Sequence, residues 1–162
     1  MTPTGILVRG LLLLVGAVLA VTLGARHLAP LPDLVLVVVA SAGLRSGWQA
    51  GLVTGLVGGW VLDLLPPGST VLGTQALLYA VCGLLVGLAR RPGRVSVVWV
   101  VAVVGAAAVG CEVVRSLVAL ASGVPVDPWG SVGRVVATAT IALVVVPLVT
   151  SVERRAEQRR FA

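Results

Sequence analysis

Long apolar blocks recur along this chain, separated by short stretches in which arginines and prolines gather. The blocks predict six helical spans, at about 6–24, 31–44, 47–65, 71–89, 95–121 and 132–152. The second is the shortest. Its roughly 14 residues rise only ~21 Å, against a hydrocarbon core of ~30 Å. Pro30 and Pro32 open it, and 28–33 reads as non-helical backbone, tolerable in a membrane only when packed against protein.

The polar positions between the blocks set an orientation. With the N-terminus inside, Arg9, Arg45, Arg90, Arg91, Arg94, Arg154, Arg155, Arg159 and Arg160 all fall on the cytoplasmic side. Arg26 and Arg134 face outward, and Arg115 lies within a span. Nine against two is a clear positive-inside bias and places both termini in the cytoplasm. The outer loops are then 25–30, 66–70 and 122–131, with Trp129 as an interfacial anchor. Arg9 and the small residues around Gly24–Ala25 also permit a cleaved signal peptide. Cleavage would leave an odd number of spans against the arginine pattern, so the first block reads as a retained span. The expected organisation is a single transmembrane domain, 1–152, followed by a short basic cytoplasmic tail, 153–162.

Composition agrees with that pattern. Of 162 residues, 58% are hydrophobic and only 11% charged, far below the quarter that is usual for soluble domains. The fold class expected is all-α, a polytopic membrane helical bundle. The net charge of +6 comes from twelve arginines without a lysine. They are not gathered on one amphipathic face, so anionic lipid explains them better than nucleic acid does.

Within the third span, Gly47, Gly51, Gly55, Gly59 and Asp63 recur every fourth residue, and Ala76, Ala80, Gly83 and Gly87 form an answering series in the fourth. Small residues at this spacing let a second helix approach closely. That helix is either the chain's own fourth span or one from a partner. Asp63 lies just before Pro66-Pro67, near interfacial water.

Glu112 and Arg115 carry charge into the fifth span, three residues apart on one helical face. A structural ion pair and part of a proton or substrate path are both open readings. We expect Arg115 to be shared, with Glu112 below it and Asp63 above.

Cys82 and Cys111 lack metal-ligand spacing and read as small core residues ahead of the alternatives, a disulfide or a metal site. The lone His27 has no catalytic context, and no cofactor or metal motif occurs, so an enzyme is not expected. The tail SVERRAEQRRFA reads as a helical continuation of the sixth span, meeting lipid or a cytoplasmic partner.

These residues carry a resemblance. GLVGGWVLD at 55–63, followed by Leu72-Gly73, is similar to the G-x-x-x-G-x-x-x-D pattern of the rod shape-determining protein MreD family. Pro32-Asp33-Leu34, Glu112 and Pro147 are further matches. The resemblance implies a noncatalytic inner-membrane component of bacterial cell elongation that binds MreC. Through MreC it would be linked to MreB filaments, the RodA glycosyltransferase and a transpeptidase. It also implies a fold similar to the substrate-binding subunits of energy-coupling-factor vitamin transporters. A small-molecule-binding transporter subunit is therefore the second reading, and a lipid or precursor flippase a third.

Overall fold

The computed structural model describes residues 10–11, 13–19, 22, 32–65, 72–91 and 96–158, with backbone alone from 147 onward. Helices make up every regular element among the described residues. They are α1 (helical at 13–19), α2 (Leu34–Ser46), α3 (Trp48–Leu64), α4 (Thr74–Leu88), α5 (Val97–Ala121) and α6 (Pro128–Gln158).

The helix limits follow local chemistry more than the edges of the apolar blocks. Pro32 and Asp33 are non-helical, and the Asp33 carboxylate caps α2 by accepting the Leu36 N–H at 3.0 Å. Gly47 alone separates α2 from α3, and its φ of 92° is one that other residues rarely adopt. Ser96 caps α5 through the Trp99 N–H at 3.3 Å. α6 begins at Pro128, four residues before the expected span, because proline suits the first helical position and Asp127 precedes it. At its other end α6 runs unbroken to Gln158, so the helix crosses the boundary drawn between domain and tail at 152.

α2 is the centre of the bundle. Ten of its thirteen residues, Val35 to Leu44, are buried, and it packs against α3, α4, α5 and α6. At ~20 Å it is too short to cross a hydrocarbon core as a helix. Toward its N-terminus it meets Leu13, Tyr79, Cys82 and Cys111, and toward its C-terminus Val86, Val104, Ala142 and Val146. Val104, Ala142 and Ala40 are wholly inaccessible.

α3 and α4 form the closest pair, running antiparallel. A Cβ added at Gly51 would collide with the Gly83 carbonyl, one at Gly55 with the Tyr79 carbonyl, and one at Gly59 with the backbone of Gln75 and Ala76. The glycine face of α3 is thus covered by the chain's own α4. Helix backbones touch there because glycines on α3 face glycine and alanine on α4, so no side chain larger than a methyl holds them apart.

Among the described residues two helices are long and apolar enough to cross a membrane: α5, and α6 over Pro128–Val146. Only 22% and 17% of their most apolar windows are buried in the bundle. The helices α2 and α4 are apolar but shorter. Large apolar side chains face outward on several helices, including Trp60 at 60% exposure, Leu77 at 66% and Val98 at 78%.

Candidate functional site: a buried ionic cluster joining four helices

At the end of the bundle where α2, α4 and α6 begin and α5 finishes, charged groups converge from three helices. Arg115, about 9 Å from the end of α5, is the hub. Its Nη1 donates to Glu112 Oε1 at 2.9 Å, one turn back on the same helix. Its Nη2 donates to Asp33 Oδ2 at 2.9 Å and to the Tyr79 hydroxyl at 2.6 Å. The Tyr79 hydroxyl in turn donates to Asp33 Oδ2 at 2.5 Å, which closes a three-residue ring across α2, α4 and α5. The guanidinium also lies 5.6 Å from the centre of the Tyr79 ring, within cation–π range.

α6 completes the cluster. The Asp33 N–H donates to Thr138 Oγ1 at 2.8 Å, and the Thr138 hydroxyl donates to the Arg134 carbonyl at 2.7 Å. Arg134 Nε stands 3.5 Å from Glu112 Oε1. Two carboxylates thus face two guanidinium groups, so the cluster carries no net charge. That matters because an unpaired charge out of water costs several kcal/mol, whereas a matched set with its hydrogen bonds filled offsets much of that cost.

Asp33 and Glu112 side chains are 8% and 11% exposed, Arg115 22% and Arg134 45%. The crevice among Asp33, Glu112, Arg115, Arg134 and Thr138 leaves no space for a water-sized molecule. Protein groups thus satisfy Asp33 and Glu112 in place of solvent, while Arg134 stays open to it.

Asp63 does something else. Its Oδ2 accepts the N–H groups of Gly73 at 3.0 Å and Ala76 at 3.2 Å, and its Oδ1 that of Gln75 at 3.4 Å. It is a cap for α4 supplied by the end of α3, and the positive end of the α4 dipole favours its charge. Gly73, with φ 93°, presents the first of those donors. The expectation that Asp63 shares Arg115 is therefore corrected: the second carboxylate on Arg115 is Asp33. The physical reason is proximity. The glycine contact sets the end of α3 beside the open N–H groups of α4, which reach Asp63 before any distant side chain can.

The remaining sequence candidates are placed as follows. Gly51, Gly55 and Gly59 lie in the α3–α4 contact. Pro32 is half-buried just ahead of α2. Pro147 falls within α6, where side chains are not described, and His27 and the loops 25–30 and 66–70 lie outside the described residues. Trp129 is 83% exposed. Cys82 and Cys111, read as small core residues, are both buried, and their sulfurs lie 3.0 Å apart.

Among the described residues no group of three metal-ligating side chains converges. Nothing local in the sequence marks Tyr79 or Thr138, and Arg134 reads there only as an outward charge. Asp33 enters the sequence reading only through the Pro32-Asp33-Leu34 resemblance, and nothing local marks its ion-pair partner 82 positions away. Compared with known proteins, the chain matches no family model, no curated protein and no solved structure.

Proposed function

We propose that this chain is a noncatalytic, multi-span membrane scaffold of the bacterial cell-elongation machinery, as its resemblance to the MreD family implies. The observation that carries the reading is where the resembling residues sit. Gly55, Gly59, Asp63 and Gly73 all serve the α3–α4 joint. Asp33 and Glu112 serve the ionic joint that ties α2, α4, α5 and α6. Both joints fix helix positions, which is what a scaffold requires.

In this reading the helices lie in the inner membrane with both termini cytoplasmic, as the nine-to-two arginine count favours. The outward apolar side chains of α3, α4 and α5 then meet lipid or a partner's helix. The ionic cluster sits at the extracytoplasmic end. α2, too short to span alone, is sheltered from lipid by the other helices.

The partner proposed is MreC, and through it MreB, RodA and a transpeptidase. Affinity capture of the tagged chain in mild detergent, with MreC as the defined prey, tests this. Retention of MreC on the tagged chain and not on an unrelated membrane protein is the expected result. Recovery of a paired ATPase instead would favour the transporter reading and overturn the scaffold.

A further inference from the structure

The chain has two cysteines, 29 positions apart on different helices, and the fold brings their sulfurs to 3.0 Å. Cys111 is 1% exposed and Cys82 6%. The pair lies one turn inward of the cluster, since Cys82 follows Tyr79 by three residues on α4 and Cys111 precedes Arg115 by four on α5. Neither thiol takes part in the ionic joint. Both are free.

We infer that Cys82 and Cys111 form a reversible dithiol–disulfide staple between α4 and α5, closed by a small hydroperoxide. The disulfide would add a covalent tie between the α3–α4 pair and the α5–α6 pair, just beneath the Tyr79–Arg115 contact. The inference does not depend on the elongation reading.

The chemistry balances with hydrogen peroxide as oxidant. The sulfur of Cys82, the less buried of the two, attacks one peroxide oxygen and the O–O bond breaks. The departing hydroxide leaves as water with the thiol proton. Cys82 is then a sulfenic acid, oxidised by two electrons, and the peroxide is reduced. The Cys111 sulfur attacks the Cys82 sulfur, the S–O bond breaks, and the hydroxyl leaves as a second water with the Cys111 proton. Two thiols and one peroxide give one disulfide and two waters. The second step is intramolecular between groups already in contact, which favours it over further oxidation of Cys82.

Buried thiols react slowly, so the probe must be small and uncharged, as hydrogen peroxide is. The test uses the full chain in membranes, treated with peroxide, alkylated, denatured and digested with trypsin. Cleavage after Arg45, Arg90, Arg94 and Arg115 places Cys82 in peptide 46–90 and Cys111 in peptide 95–115. The expected product is these two peptides joined, lighter by two hydrogens than their sum, and separated again by dithiothreitol. Cys82→Ser should abolish the joined species, and Cys111→Ala serves the same purpose if the serine variant fails to fold. The oxidised protein should also melt at a higher temperature in detergent than the reduced one. Recovery of both cysteines alkylated, or of sulfinic acid on unjoined peptides, would overturn the staple. So would joined peptides with no change in melting.

Discussion

Asp33 does three jobs with one residue. Its Oδ1 caps α2, its Oδ2 receives Tyr79 and Arg115, and its N–H reaches Thr138. Removing one member of a buried ionic set leaves the others uncompensated, which typically costs about 3–5 kcal/mol. Arg115→Ala should therefore destabilise the protein in detergent on that scale, because it strips Asp33 of its cation and leaves Glu112 only the more distant, more exposed Arg134. A double-mutant cycle separates the carboxylates. Asp33→Ala combined with Arg115→Ala should couple by about 1–3 kcal/mol, whereas Asp63→Ala with Arg115→Ala should be additive within about 0.5 kcal/mol. Strong coupling of Asp63 to Arg115 would contradict the assignment of Asp63 as the cap of α4.

At the scale of elements, glycine has two distinct environments in these helices. At Gly55 a Cβ would strike the facing backbone, while at Gly105 on α5 it would meet nothing within 4 Å. Gly55→Ala should therefore force α3 and α4 apart and destabilise by about 1–3 kcal/mol, as overpacking does. Gly105→Ala should be neutral or stabilise by up to about 1 kcal/mol through helix propensity. Thermal melts of the two variants check this, and equal effects would mean that α3 and α4 are not in backbone contact.

This contrast also shows what the sequence makes legible. Spacing alone reveals small residues every fourth position on α3 and every third or fourth on α4, and the acid and base three apart on α5. The apolar blocks locate the helices, although Asp33, Gly47 and Asp127-Pro128 decide where they start and stop. What spacing cannot reveal is contact between distant positions. Asp33 meets Arg115 across 82 residues, and Cys82 meets Cys111 across 29. Nor does a list of side chains show backbone donors, which is why the role of Asp63 emerges only once the open end of α4 is seen beside it. Tyr79 and Thr138 each look like an isolated polar residue until the helices are assembled.

For the whole molecule, the two ends of the bundle differ in charge chemistry. One end holds the neutral cluster of Asp33, Glu112, Arg115 and Arg134. At the other, Arg91 stacks on the Trp99 ring at 3.5 Å, and the Trp99 indole N–H donates to the Ala89 carbonyl at 3.2 Å. Arg45 and Arg90 lie at this same end, so arginine dominates its charged side chains in the sequence, which suits a surface of anionic lipid. The proposed orientation, with the cluster outside and the arginine collar inside, follows from that difference.

The central claim is that the chain is a membrane bundle oriented this way, and accessibility from each side tests it most directly. Single cysteines at Pro125, in the exposed turn between α5 and α6, and at Arg90, after α4, would be introduced into a Cys82→Ser, Cys111→Ser background. A membrane-impermeant maleimide added to intact cells with the outer membrane opened should label the cysteine at 125 and spare the one at 90, which should react only after lysis. Labelling at 90 and protection at 125 would invert the topology, and labelling of both in unlysed cells would contradict the membrane-spanning account itself.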